Sequence, residues 1–314
     1  MVDYTLLEER FGAQLKRQEP LARHTAARLG GPADALVVVR SLADLLFAVH
    51  FAWGQAVPYR ILGGGANVLV SDRGFAGLVI VNRADGVTIE EDGTVKAESG
   101  ANLSSLARRC MARGMAGLEW AVNVPGTVGG AAINNAGAHG GDMAASVRWV
   151  VVHRPGGVER LNRDEMRYAY RESVLKGSTT PFVVTWVELG LQPGGDPEAL
   201  QATAAEYVAH RKRTQPPGAS LGSIFKNPPG DYAGRLIEAA GLKGVQRGQV
   251  QISPVHANFF VNIGAGGTAA DYVALIRLAQ SEVWKQFGVR LEPEIELLGD
   301  FDGDANNPED MNFA

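Results

Sequence analysis

VPGTVGGAAINNAGAHGG, residues 124–141, places Gly126, Gly129, Gly130, Gly137, Gly140 and Gly141 among small residues with almost no charge. Glycine loses more backbone freedom on folding than any other residue, so this composition is expected to form neither helix nor strand. A flexible linker is the plainest alternative, but linkers are rich in Ser, Pro and charge, and this stretch is not. A dense apolar glycine run in a folded chain points instead to backbone that a ligand approaches closely. Successive free amides can build an anion-binding nest, and Asn134 and Asn135 add side-chain donors and acceptors. The stretch therefore reads as a ligand cradle whose other walls lie elsewhere in the chain.

The chain has 314 residues, enough for two or three lobes. With 46% hydrophobic and 20% charged residues it has ordinary globular composition. A net charge of −4 argues against a nucleic-acid or anionic-membrane surface. No apolar run reaches a membrane span, and MVDYTLLEER lacks the basic and apolar regions of a secretory signal, so cytosolic residence is expected. Cys110, the sole cysteine, rules out an internal disulfide. It shares a helical stripe with Leu103, Leu106 and Ala107, which favours a buried small hydrophobe over a nucleophile. The six histidines show no metal-ligand spacing, so no metal is expected.

The apolar spacing of Leu7, Phe11 and Leu15 predicts a helix over 3–17. Ser41 and Asp44 start a helix over 41–53. Strands are expected at Ala35–Val39, Tyr59–Leu62, Val68–Val70 and Gly77–Asn82, a small lobe with a glycine-rich strand-to-loop edge. From Asp85 onward hairpins dominate, one turning at Asp92-Gly93 and another at Pro155-Gly156-Gly157, with a helix over 103–113 and a strand over 182–192. Pro197 opens a helix with a basic end. Pro216, Pro217 and Gly218 mark a boundary, beyond which come helices from 233 and over 271–287 and strands at HANFFVNI and LEPEIELLG. The fold class expected is α+β: a lobe over 1–84, to which the strand in 289–299 returns, a second over 85–205, and a C-terminal α/β lobe over 206–299. The acidic tail, 300–314, has little to bury and is expected to be disordered. A calcium loop on Asp300, Asp302 and Asp304 is not favoured, because its sixth position is Ala305 rather than glycine.

Three further constellations could carry chemistry. Leu62-Gly63-Gly64-Gly65-Ala66-Asn67 follows a strand directly, so its amides can face a phosphate, although it is neither GxGxxG nor a P-loop. Together with the 124–141 stretch it suggests a long diphosphate ligand gripped at two places. Gly264-Ala265-Gly266-Gly267-Thr268-Ala269 matches G-x-G-x-x-A, with Glu292 and Glu294 at ribose-acid distance, but too little chain follows for a dinucleotide fold. A helix-start loop is the better reading. Gly222-Ser223-Ile224-Phe225-Lys226-Asn227-Pro228 sets a hydroxyl, a cation and an amide around two apolar residues, which a solvent turn seldom does. No G-x-S-x-G surrounds Ser223. Tyr170-Arg171-Glu172-Ser173 and Leu291-Glu292-Pro293-Glu294 could equally be surface charge.

In order, RHTAARLGGPAD, LGGGANVLVSDRGFAGLVI, VPGTVGGAAINNAGAHGG, YRES, GSIFKNP, AGLKG, HANFFVN and LEPEIELLG resemble the UDP-N-acetylenolpyruvoylglucosamine reductase (MurB) family, over residues 21–299. The spacing looks like its shorter variety, which lacks an extra loop with a substrate-contacting tyrosine. The resemblance implies an FAD-binding fold like that of vanillyl-alcohol oxidase, with two α+β lobes around non-covalent FAD and a third lobe for substrate. It implies NADPH as reductant and reduction of the enolpyruvyl ether of UDP-N-acetylglucosamine to UDP-N-acetylmuramate. By motif position it implies FAD contacts from Arg28, from Gly63, Gly64, Gly65, Ala66, Asn67 and Val68, and from Pro125, Gly126, Thr127, Gly129, Gly130, Ile133, Asn134, Gly137 and His139. It implies Arg171, Ser223 and Glu294 as catalytic residues and Asn227 as a substrate contact.

Those roles suit the chemistry. An enol ether is a poor hydride acceptor unless charge developing on its carboxylate is stabilised, which Arg171 and a protonated Glu294 would do. The carbanion-like centre that results can take a proton from Ser223, with Lys226 easing the alkoxide. Lys226, Arg211 and Arg213 are candidate cations for the UDP diphosphate. The sequence departs from the family at His139 and Ala27, where aromatic residues are common, and at Pro254 and Val255, where charged ones are. The partner is a small molecule, not nucleic acid or membrane, and a monomer or weak dimer is expected. The competing readings are another FAD-dependent oxidoreductase or oxidase on the same fold, and a nucleotide-sugar binding protein without turnover.

Overall fold

The computed structural model describes residues 2–301. Its backbone packs as two compact units. Among the described residues the first comprises 2–16, 36–64 and 78–211; the second comprises 17–35, 65–77 and 212–301.

A four-stranded sheet has the order Lys16–Pro20, Pro32–Val39, Phe75–Asn82, Tyr59–Leu62. Tyr59–Leu62 runs parallel to Leu78–Val81, with the helix Leu42–Gly54 as the crossover segment before it. Ser41 caps that helix by accepting from the Asp44 amide, as its sequence predicts. The N-terminal helix is shorter than its apolar spacing predicts. It ends at Phe11 because Gly12 turns to φ 51°, and after a 3₁₀ turn the chain is already a strand at Lys16. Leu7 and Phe11 are still buried.

The first unit's larger sheet is antiparallel, ordered Gly157–Asn162, Val147–Arg154, Val183–Gly190, Thr94–Glu98, Val87–Ile89. Both expected hairpins are present, with Arg154 opposite Gly157 and Ile89 opposite Val95. The helix Leu103–Met111 buries Leu103, Leu106, Ala107 and Cys110 in one cluster with Val150, Val187 and Leu189 of that sheet. Cys110 is fully buried, and desolvation pushes its thiol up to about 12, so it packs as a hydrophobe.

The glycine stretch departs from expectation: Val128–Asn134 is a helix. Val128, Ala131 and Ala132 supply a buried apolar stripe, and Asn135 closes it in the left-handed region at φ 43°. Tertiary contacts override the poor propensity, since the Val128 amide donates to the Ala101 carbonyl and the Gly129 amide to that of Ser99. These two amides are thus not free to form a nest.

In the second unit an antiparallel sheet has the order Ala219–Ser223, Phe259–Asn262, Val250–Ile252, Gln246–Arg247. The last two strands were not legible in the sequence. The helices Ala233–Ala239 and Ala269–Phe287 cover its core, where Leu236, Ile237, Tyr272 and Ile276 pack with Phe225 and Phe260. Glu296–Leu298 pairs in parallel with Val68–Val70, so the C-terminal strand returns to an early segment. Asp300 and Phe301 do not belong to a disordered tail. Phe301 is buried in that core, and Asp300 accepts from the Ser71 hydroxyl at 2.5 Å and from Arg73 at 2.7 Å. Residues 302–314 lie outside the described residues.

Within the glycine helix two neighbouring glycines should respond oppositely to alanine. At Gly129 a Cβ would sit 2.7 Å from Ser99 Cβ, so Gly129→Ala should destabilise by about 1–3 kcal/mol. At Gly130 it would meet only Thr127 Oγ1 at 3.7 Å, so Gly130→Ala should stabilise by up to about 1 kcal/mol. Urea denaturation of the FAD-free protein measures both, and shifts of one sign would refute this account of the helix seat.

Candidate functional site

In the first unit the two glycine motifs meet backbone to backbone. A Cβ on Gly63 would lie 2.4 Å from Thr127 Oγ1, and one on Gly64 would lie 3.0 Å from Gly126 Cα. The Gly63 carbonyl is held by Arg83 Nη1 at 2.8 Å. Pro125 precedes this contact, and at Gly126 (φ 113°) and Gly140 (φ 82°) a Cβ would have nothing within 4 Å of it. Among the described residues the Gly64 amide donates to no backbone acceptor. Among the described residues of the first unit, Asn134 Oδ1 and Trp120 Nε1 are two of several buried polar atoms with no hydrogen-bond partner. A free backbone amide and open glycine surface are chemistry that suits an anionic group such as a diphosphate.

Arg171 stands beside the second half of the stretch. Its backbone is left-handed at φ 57°, and its guanidinium donates to the carbonyls of Asn135 at 3.3 Å and Gly137 at 2.8 Å. Lys176 Nζ donates to the Arg171 carbonyl at 2.8 Å, and Ser173 Oγ donates to the Ile133 carbonyl at 2.6 Å. The buried Asn135 completes the join, donating to the Ala169 carbonyl at 2.9 Å and accepting from the Ala144 amide. The YRES segment is therefore stitched to the glycine stretch and is not free surface charge.

His139 is also left-handed, at φ 52°. Its ring stacks on Tyr207 at 4.3 Å with planes 6° apart, and His210 meets it edge-on at 5.8 Å. Burial, then His210 and Arg211, holds the His139 pKa below its ordinary value. Arg211 donates to the Asn123 carbonyl, and burial lowers its own pKa.

In the second unit Gly65 lies against the RHTAARLGG loop, where a Cβ would come 2.1 Å from the His24 carbonyl oxygen, and the Ala26 amide donates to the Gly65 carbonyl. Arg28 sits in that loop at φ 56°. Ala66 leads to Asn67, which donates to the Glu294 carbonyl at 3.1 Å and accepts from the Glu296 amide at 2.9 Å. Val68 begins the strand paired with Glu296. The Glu294 amide donates to the Ile224 carbonyl at 2.7 Å, and the Lys226 amide to the Glu292 carbonyl at 2.9 Å. Ser223 and Glu294 thus lie on adjoining segments. Lys226 Nζ is 2.5 Å from Glu292 Oε1, with its side chain only 11% exposed. Asn227 Oδ1 accepts from the Ala233 amide, capping the following helix. Arg213 is exposed. The G-x-G-x-x-A segment is a helix start, as expected: Thr268 and Asp271 form a capping box, and the Asp72 carboxylate accepts from the Ala269 and Ala270 amides. No anion is needed there.

Arg83, which holds the Gly63 carbonyl, and Asn258, whose side chain bonds both polar backbone groups of Phe225, are not among the residues the sequence singles out, although Asn258 falls within HANFFVN.

Residues 213–298 match the UDP-N-acetylenolpyruvoylglucosamine reductase C-terminal domain family, and residues 33–161 match the FAD binding domain family. A UDP-N-acetylenolpyruvoylglucosamine reductase of Rubrobacter xylanophilus is 45% identical, over 96% of this chain and all of that protein. The chain belongs to the UDP-N-acetylenolpyruvoylglucosamine reductase family. A second such relative, from Symbiobacterium thermophilum, is 46% identical over 91% of this chain and 92% of its own. The crystal structure of the Thermus caldophilus reductase, MurB, superposes with a TM-score of 0.77 at 34% identity, covering 91% of this chain and all of that one. The expected α+β, FAD-binding fold class is borne out by these matches. No helix among the described residues is long and apolar enough to cross a membrane, and no cluster of three or more metal-ligating side chains occurs among them.

His256 gives this unit a measurable pH signature. Burial, then the Lys243 charge, lowers its pKa from 6.5, and its Nδ1 accepts from the Asn258 amide at 3.2 Å. A depressed folded pKa means the stabilisation is full above the unfolded value of about 6.5 and fades as pH falls towards the folded one. The stability advantage of wild type over His256→Gln in urea should therefore shrink between pH 7.5 and pH 5. A constant difference would contradict the neutral, accepting imidazole.

Proposed function

We infer that this chain is an FAD-dependent oxidoreductase that uses NADPH to reduce UDP-N-acetylglucosamine enolpyruvate to UDP-N-acetylmuramate, a step of peptidoglycan precursor synthesis. The observation that carries the reading is the match to a reductase over 96% of this chain and all of that protein, which joins the FAD-binding and C-terminal portions in one chain. When bound, FAD supplies a two-electron carrier that accepts hydride from NADPH and delivers it to the terminal enolpyruvyl carbon. The chain's own groups do the rest. Gly64, Gly65 and Ala66 offer amides to the cofactor's diphosphate, and Gly126 and Gly140 leave room beside the backbone. Arg171 and the protonated carboxyl of Glu294 donate to the substrate carboxylate as negative charge grows there. Ser223 gives its proton to the carbon bearing that carboxylate and recovers one from water.

Lys226 stabilises the transient Ser223 alkoxide and, with Arg211 and Arg213, the UDP diphosphate; Asn227 is a further substrate contact. In this reading residues 1–84 and 85–205 hold the cofactor and residues 206–299 hold the substrate. The enzyme acts in the cytosol as a monomer or weak dimer.

Ser223→Ala tests the chemistry. In anaerobic stopped-flow, NADPH should reduce the flavin of the variant at close to the wild-type rate. Reoxidation by the enolpyruvyl substrate should slow by about 10²–10⁴-fold, the scale of a lost general acid. Equal slowing of both halves would remove Ser223 from the protonation step. If oxygen but not the enolpyruvyl substrate reoxidises wild type, the protein is an oxidase instead.

A further inference from the structure

We infer that Asn258 is a positioning residue: one buried amide that fixes the backbone between Ser223 and Lys226 and, through it, the placement of Ser223 relative to Glu294. The inference rests on the roles proposed for those two residues.

Asn258 is 3% exposed. Its Oδ1 accepts from the Phe225 amide at 2.9 Å, and its Nδ2 donates to the Phe225 carbonyl at 2.8 Å. One side chain thereby holds both polar groups of one residue. The Asn258 carbonyl also accepts from the Ile224 amide at 2.9 Å. The opposite side of the same segment faces the segment that carries Glu294, with Ile224 accepting from the Glu294 amide at 2.7 Å and Phe225 bridging Pro293.

The arrangement has a reason. The ladder between Ala219–Ser223 and Phe259–Asn262 is irregular between Ser220 and Ser223, and its last pair is Ser223 with Phe259. Beyond that pair the backbone makes one more bond, from the Ile224 amide to the Asn258 carbonyl, and the strand ends at Phe259. The Asn258 side chain supplies the missing donor and acceptor, so residues 224–226 can leave the sheet and pair with residues 292–294. Irregular ladder ends of this kind re-aim side chains. A hydroxyl that must meet a developing carbanion tolerates little displacement, since about 1 Å can reduce a rate about 10²-fold.

Asn258→Asp gives a readout that a purely structural role does not. An ionised carboxylate still accepts from the Phe225 amide but has no proton for the Phe225 carbonyl; a protonated carboxyl regains that donor. The FAD-loaded variant should show a wild-type limiting rate of flavin reduction by NADPH. Its reoxidation by the enolpyruvyl substrate, taken as a ratio to wild type at each pH, should be slowed about 10²-fold at pH 8 and recover towards wild type as pH falls to 5.5. Asn258→Ala introduces no charge and serves if the aspartate variant does not retain FAD. It should be slowed in reoxidation alone, by a ratio that does not change with pH. Wild-type reoxidation in both variants, or equal slowing of both half-reactions, overturns the inference. Ser223→Ala, run alongside, separates the two ideas. If it reoxidises normally the proposed chemistry fails, whereas if it is slow while both Asn258 variants are normal only the positioning role fails.

Discussion

Close approach of backbone to backbone is the constraint on which the rest of the structure depends. Gly63 and Gly64 lie against Thr127 and Gly126 at distances where a Cβ would stand 2.4 and 3.0 Å from its neighbours, far inside van der Waals contact. The same device recurs in the second unit. A Cβ on Gly31 would sit 2.1 Å from the Asp72 carbonyl oxygen, and one on Gly65 would sit 2.1 Å from that of His24. At Gly64, Gly31 and Gly65 the neighbour is backbone, which no rotamer change can relax, so glycine there reflects tertiary packing rather than local flexibility. Backbone amides, where they are left free by such packing, suit a diphosphate better than a particular base or sugar.

Backbone strain also appears at site residues. Among the described residues Gln18, Arg28, Ala56, Asn135, His139, Arg167 and Arg171 hold positive φ, and Arg28, His139 and Arg171 are site residues by motif position. Each such backbone costs on the order of 1–3 kcal/mol and persists only where its surroundings over-determine it. The surroundings are visible for Arg171, whose guanidinium holds two carbonyls while its own carbonyl is held by Lys176. For His139 they are a parallel ring stack on Tyr207. These two strained residues are therefore tied down, as groups that must keep one orientation should be.

What the sequence made legible follows from how local each signal is. Ser41, Thr268 with Asp271, Asp92-Gly93 and Gly288 act within four residues, and each cap or turn forms where it is expected. The helix Val128–Asn134 is not legible because its stability comes from Ser99 and Ala101, distant in sequence. Leu15 continues the apolar spacing of Leu7 and Phe11, but Gly12 between them stops the helix and the spacing misleads. Phe301 reads as part of a solvated tail because the acidic residues that follow it mask one apolar side chain, whereas the structure buries it in the core of the second unit. The YRES and LEPE segments could not be told from surface charge, since what distinguishes them is pairing with residues 133–137 and 224–226.

Locality also decides which chemistry a sequence can reveal. Recognition by backbone needs many glycines in succession, so it leaves a compositional mark that one sequence can show. Proton donation and charge stabilisation need single polar residues, and a lone serine or glutamate carries no such mark. Their distinction is conferred by partners such as Asn258, whose amide matters only because a strand ladder happens to end beside it. A positioning group of this kind is invisible to composition and periodicity alike. It becomes evident only when the hydrogen bonds of the segment it holds are traced one by one, and a single side chain is found standing in for a missing strand.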